Sequence, residues 1–272
     1  MIIANQRVSY QQVFMDRWEA VEGETIVEAP VGLTVNGKTW LTFMCTPIEQ
    51  EALALGFLYT EGVIQSIEEV EHYRVCPAGD NVDVWLSHEA EKPAHWIHTS
   101  GCTGGMTSQR LDQLVPVDVD RYDESASKDE LRLNAEQIGH LIARLLESQD
   151  IYRTAGGVHA SALCEGEQVC VVAEDIGRHN TLDKIAGRCL IDTIPMAGKV
   201  LLTTGRVSSE MIQKSARIGA PVVISRTSPS TLSIEMAQRW GITLIGYARR
   251  DRFRIFSHPE RIWLEGYPPD PL

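Results

Sequence analysis

The chain has 272 residues, 43% hydrophobic and 23% charged, the balance of a folded globular protein with one large domain or two modest ones. Its formal net charge of −12 speaks against general nucleic-acid binding, which rests on a basic footprint, so an anionic ligand must meet a local concentration of positive charge. No run approaches the roughly 18 apolar residues that span a bilayer, and Met1 to Asp16 lack the basic flank and apolar stretch of a secretory signal, so a cytoplasmic protein is expected.

In chain order, β-like runs come first. Thr25 to Pro30 and Val31 to Val35 lead into a hairpin signal at Asn36-Gly37, followed by Thr39 to Met44. Thr46-Pro47 then opens a predicted helix from Ile48 to about Glu61, with Gly62 past its end. Val82 to Leu86 is a further strand. The polar, acidic stretch 118–130 has the composition of a linker, so the chain is expected to divide into residues 1–125 and 126–272.

After the linker the pattern changes. Asn134 caps a predicted helix whose apolar positions Ile138, Leu141, Ile142, Leu145 and Leu146 recur at helical spacing. Strands are predicted at Val169 to Ala173, Lys199 to Thr203, Val222 to Ser225 and Ile242 to Tyr247. Helices alternate with them at Thr181 to Cys189, Ser209 to Ile218 and Thr231 to Trp240. Such alternation signals an α/β sheet covered by helices.

Sheets of this kind bind ligands beyond strand ends, where loops meet helix N-termini. The loops at 174–180, 204–209 and 226–231 are rich in Gly, hydroxyl and Arg residues, as an anionic ligand requires, although Ser and Asn are also ordinary helix caps. Arg178, Arg206 and Arg226 lie in them, one each. In Tyr247-Ala248-Arg249-Arg250-Asp251-Arg252, three arginines in four residues follow a strand end. That is the local positive field the overall charge lacks.

The six cysteines are Cys45, Cys76, Cys102, Cys164, Cys170 and Cys189, with no Cys-x-x-Cys pair and no four-ligand Cys/His cluster, so neither disulfides nor a bound metal is expected. Cys170 in Val169-Cys170-Val171-Val172 reads as a small core residue, and Cys45, Cys164 and Cys189 likewise. Cys102 differs. In Thr99-Ser100-Gly101-Cys102-Thr103-Gly104-Gly105 the thiol sits among glycines and hydroxyls, in the setting of an accessible loop.

These segments resemble the formate dehydrogenase accessory sulfurtransferase family, FdhD. The resemblance runs through most of the chain and is dense from Gly156 to Ile262. It is carried by Gly156-Gly157-Val158-His159-Ala160, Glu174 to Asn180, Leu182-Asp183-Lys184, Thr204 to Met211, Gly246 to Arg249 and Pro259 to Ile262, and before the linker by Leu53 to Gly62. It implies a small N-terminal α+β domain followed by a three-layer α/β/α domain similar to cytidine deaminases. It also implies a sulfur carrier that takes sulfur from a cysteine desulfurase, as a persulfide on Cys102. That sulfur passes to the molybdenum cofactor (bis-molybdopterin guanine dinucleotide) before its insertion into the formate dehydrogenase apoenzyme. Cofactor contacts are expected at Tyr247, Ala248, Arg249, Arg250, Asp251, Arg252, Arg178, His179 and Arg206, in a homodimer with no nucleic-acid or membrane partner.

Two features set the chain apart. Many family members carry Cys-x-x-Cys in the Cys102 loop, whereas here Gly105 stands at the second position, leaving a single carrier. That keeps open a cofactor chaperone without sulfur chemistry. A third function, nucleotide hydrolysis or deamination, is disfavoured because zinc deaminases use His-x-Glu with Pro-Cys-x-x-Cys. His159 is followed by Ala160 and Ser161, so the glutamate is missing, and His159 is either a ligand contact or a satisfied buried histidine.

Overall fold

The computed structural model describes residues 3–92 and 131–265, together with two short strands at 97–98 and 106–107. Cys102, the linker at 118–130 and the expected division after residue 125 lie outside the described residues.

The chain opens with an antiparallel hairpin of β1 (Asn5–Val13) and β2 (Trp18–Ile26), which the sequence reading missed. Most of its residues are exposed, Val13, Met15 and Trp18 among them, so they show no clean polar–apolar alternation. Next come β3 (Ala29–Val35) and β4 (Lys38–Cys45), antiparallel through the predicted Asn36-Gly37 turn, where both residues have positive φ (48° and 76°). The Asn36 side chain ties this turn to the rest of its sheet: its oxygen accepts from Leu86 N (2.7 Å) and its amide donates to the His88 carbonyl (2.9 Å).

After α1 (Gln50–Thr60), strands β5 (Val70–Val75) and β6 (Asn81–Leu86) complete a four-stranded sheet of order β4-β3-β6-β5. The helix begins at Gln50 rather than Ile48. Glu49 adopts a left-handed conformation (φ 52°), and the Thr46 hydroxyl, instead of capping, accepts from Ile176 N of the second half. Nearly every side of α1 is buried, since Leu53, Leu55, Phe57 and Leu58 pack on the sheet while its other flank meets the second half. The short strands β7 (Ile97–His98) and β8 (Met106–Thr107) pair antiparallel, and Cys102 lies between them in sequence.

The second half starts with β9 (Leu133–Asn134) and α2 (Ala135–Glu147), where Asn134 and Gln137 form a reciprocal capping box. A short helix α3 (Asp150–Ala155) leads into β10 (His159–Glu165) and β11 (Gln168–Asp175). Then α4 (Arg178–Ile191), β12 (Val200–Thr203), α5 (Ser209–Ile218), β13 (Val222–Ser225), α6 (Thr231–Arg239) and β14 (Thr243–Gly246) alternate as predicted. The chain goes on through β15 (Arg254–Ser257) to β16 (Ile262–Trp263), which pairs with β9.

The central sheet has the order β11-β10-β12-β13-β14-β15, with β12, β13 and β14 parallel. One face packs on α2 through Leu141, Leu145, Ala162, Leu202 and Ile224; the other carries α4, α5 and α6 through Leu182, Ile185, Ile212, Leu201 and Leu244. The result is the expected three-layer α/β/α arrangement. Helix α4 starts at Arg178, three residues before the predicted Thr181, so Arg178, His179 and Asn180 belong to its first turn.

The halves meet where α1 crosses α4. A Cβ on Gly56 would run into the Asp183 carbonyl, and one on Gly187 into the Ala52 carbonyl, so only glycine allows this approach.

Candidate functional site

Sheet topology decides which loops come together. Since β12, β13 and β14 are parallel, their C-terminal ends share one edge. Strand β10 runs antiparallel to β12 and β11 antiparallel to β10, so His159 at the start of β10 faces Asp175 at the end of β11 on that same edge. The three predicted loops and the 247–252 turn therefore converge, with the N-termini of α4, α5 and α6 behind them.

The loops brace one another. Val207 N donates to Ser228 O (3.1 Å), Arg226 N to Thr203 O (3.1 Å), Tyr247 N to Thr227 O (2.9 Å) and Ala248 N to Ser225 O (3.0 Å). Several hydroxyls at this edge brace the loops and helix ends. Ser225 donates to Gly205 O (2.7 Å), Ser208 and Ser230 cap α5 and α6, and Thr204 accepts from Ala160 N (3.0 Å). Turned outward beside the exposed Ser230 and Thr231 are the arginines.

Arg226 and Arg249 stand side by side. The Arg249 Nη1 donates to the carbonyls of Arg226 (2.6 Å) and Ala248 (2.8 Å), and among the described residues neither arginine has a carboxylate partner. Burial, with the Arg249 charge adding to it, holds the Arg226 guanidinium below the usual arginine range, and its buried Nε has no hydrogen-bond partner. Two adjacent guanidiniums without a counter-charge are what a phosphate-bearing ligand would complete. Arg206 is exposed, while Arg178 is buried and packs its Cβ 2.9 Å from the position a Gly205 Cβ would take.

In the 247–252 turn, Arg249 N donates to Arg252 O (2.8 Å), and the Arg250 carbonyl presses on Gly139 of α2. Arg250, Asp251 and Arg252 are exposed, with Arg252 only 3.8 Å from Asp251. Ala248, expected as a cofactor contact, is fully buried, its N–H donating to Ser225 O and its carbonyl accepting from Arg249 Nη1, so it holds the turn in place rather than facing a ligand. Tyr247 has a left-handed backbone (φ 52°) and an exposed ring, with the guanidinium of Arg254 4.4 Å from the ring centroid. Arg254 was missed in sequence because β15 went unrecognised.

His179 is not at the surface. It is 4% exposed, its Nε2 3.3 Å from both Glu210 Oε2 and Ser208 Oγ. Burial, then the charges of Arg178 and Lys214, hold it well below the usual histidine range, so at neutral pH it is an uncharged support beneath Arg178. His159 is half-buried at the rim, 3.4 Å from Thr204 Oγ1, and is lowered by burial and by Arg178 and Arg206.

The described cysteines divide by exposure. Cys45, Cys164 and Cys189 are buried, and burial pushes each thiol up to about 12. Cys170 packs against the core but is only partly buried, a departure from expectation that follows from its place on edge strand β11. Cys76 donates to the Asp80 carboxylate at 3.0 Å. Among the described residues no three His, Cys, Asp or Glu side chains are grouped to hold a metal, and no described helix is long and apolar enough to cross a membrane.

The family model described as FdhD/NarQ matches residues 26–263. The chain belongs to this family. It is 34% identical over 242 residues to the sulfur carrier protein FdhD of Bacillus subtilis, covering 89% of this chain and 91% of that protein. It is 33% identical over 237 residues to the protein of the same name from Staphylococcus haemolyticus, covering 87% and 89%. A solved structure of a candidate formate dehydrogenase accessory protein from Desulfotalea psychrophila is similar with a TM-score of 0.78 at 28% identity, covering 96% of this chain and all of that one.

Proposed function

We propose that the chain is a sulfur carrier, loaded as a persulfide on Cys102, that sulfurates the molybdenum guanine dinucleotide cofactor on its way to formate dehydrogenase. The observation that carries it is the coincidence of two features in one chain. The chain is similar, over about nine-tenths of its length, to relatives named sulfur carrier proteins. Its sheet edge also gathers Arg206, Arg226, Arg249, Arg250 and Arg252 in a protein of net charge −12. The buried thiols of Cys45, Cys164 and Cys189 are poor nucleophiles, whereas Cys102 lies among glycines.

In the loading step the Cys102 thiolate attacks the outer sulfur of a persulfide on a cysteine desulfurase. The donor's S–S bond breaks, the donor leaves as a thiolate and a new S–S bond forms on Cys102, with no net oxidation. In delivery an electron pair of the acceptor attacks the outer sulfur of the Cys102 persulfide, the S–S bond breaks, Cys102 leaves as a thiolate, and the sulfur ends bonded to the acceptor, whose electron pair makes that bond. The arginines hold the cofactor's phosphates, each charge-assisted contact contributing about 1.5–3 kcal/mol. A reducing cytoplasm, a homodimeric carrier and direct handover to the dehydrogenase apoenzyme complete the proposal. Gly105 in place of a second cysteine favours one alternative, a chaperone that carries the cofactor without sulfur chemistry.

Complementation separates the two. With Cys102→Ala as the sole copy, formate dehydrogenase activity is expected to be lost, while Cys76→Ala and Cys170→Ala retain it. Full activity with Cys102→Ala would move the conclusion to the chaperone.

A further inference from the structure

The motif Leu182-Asp183-Lys184 and the residues facing it have no role in the chemistry above, yet they contain a fully buried ion pair. Lys184 Nζ lies 2.7 Å from Asp175 Oδ2, with neither side chain exposed. The same ammonium donates to the carbonyls of Thr46 (3.0 Å) and Glu174 (3.2 Å). Asp175 Oδ2 also accepts from Thr46 N (3.1 Å), and Oδ1 accepts from Gly177 N (2.7 Å) and Asn180 Nδ2 (2.9 Å). Four donors fill the roughly four lone-pair sites of one carboxylate. Every polar group of Thr46 meets the second half, its hydroxyl accepting from Ile176 N at 3.2 Å, while its carbonyl also accepts from Ile48 N at 2.8 Å.

Such a pair is a weak source of stability, since apolar residues of the same volume often do as well or better. What it supplies is geometry. The donors come from three places: the backbone just after β4, the core of α4, and the turn that starts α4 immediately before Arg178.

We infer that Asp175, with Lys184 and Thr46, is a positioning hub that holds the first turn of α4, and so Arg178, in register with the arginine-lined edge. The inference rests on the ligand reading given under the proposed function. Asp175 touches no ligand; it acts through the backbone of residues 176–178 and through Asn180, whose amide also donates to Met44 O (3.0 Å). An asparagine at 175 can accept at one oxygen only, so Thr46 N and Gly177 N cannot both keep their partner.

The test uses the full chain with GDP as probe. Asp175→Asn/Lys184→Met removes both charges at nearly constant volume and leaves no unpaired ion. It is expected to stay folded, with a urea midpoint lowered only as far as one unpaired buried N–H requires, yet to bind GDP about tenfold more weakly, with faster amide exchange over residues 176–180. Thr46→Val, which removes only the hydroxyl, is expected to do the same more mildly, and Thr46→Ser to restore wild-type behaviour. If the double variant does not fold, the Thr46 pair decides. Folded variants with wild-type exchange at 176–180 and wild-type GDP affinity would overturn the hub. A wild-type chain that does not bind GDP would instead overturn the nucleotide-site reading, leaving the exchange rates to decide the hub.

Discussion

Asp183 Oδ1 and Lys214 Nζ lie 2.8 Å apart with almost no exposure of either side chain, and Thr60 of α1 bonds to both. Glu61 adds a second carboxylate at 3.4 Å. Burial pulls the Lys214 ammonium down, but Asp183, Glu61 and Glu210 together outweigh it and hold it above the usual lysine range. Lys214→Met would leave the Asp183 carboxylate buried without its cation, an omission that typically costs about 3–5 kcal/mol. Urea unfolding is expected to show a loss of that size; a change under 1 kcal/mol would mean the cluster is hydrated.

Stability should fall with acid through His179. Its folded pKa is depressed by burial and by Arg178 and Lys214, while the unfolded histidine titrates near pH 6.5. As pH drops below about 6.5 the unfolded chain takes up a proton that the folded chain refuses, so the folded state loses about 1.4 kcal/mol per pH unit per such group. His159 is depressed too and adds in the same sense. Unfolding free energies from pH 7.5 to 5 should therefore slope more gently in His179→Gln, and an unchanged slope would contradict the depressed histidine.

The exposed and the tethered arginines should behave differently. Arg252→Glu reverses a surface charge and breaks no intramolecular bond beyond a loose Asp251 contact, so it is expected to weaken GDP binding about tenfold with stability within 0.5 kcal/mol of wild type. Arg249→Glu also removes the bonds to the Arg226 and Ala248 carbonyls, so it should lose both affinity and stability. Calorimetry with GDP, paired with thermal melts, distinguishes them. Equal affinities in all three proteins would place the phosphates elsewhere.

Local signals were legible where neighbours in sequence satisfy one another. Asn36-Gly37 gave its turn, Asn134 the start of α2, and the pattern from Ser209 to Ile218 the bounds of α5. Signals failed where the partner is remote. Thr46 looks like a helix cap until Asp175 and Ile176, about 130 residues away, claim its groups. His179, flanked by Arg178 and Asn180, looks like a ligand contact until Glu210 is found beneath it. The loops converged as expected because alternating strands and helices leave few topologies, but nothing in sequence separated hydroxyls that brace loops from those free to bind.

The proposed carrier role rests on Cys102. Purified protein incubated with a cysteine desulfurase and cysteine, then digested and weighed by mass spectrometry, should show the Cys102 peptide gaining one sulfur atom, reversible by reductant. The peptides of Cys45, Cys164 and Cys189 should remain unchanged. No added sulfur on Cys102, or its appearance on another cysteine instead, would contradict persulfide loading at this loop.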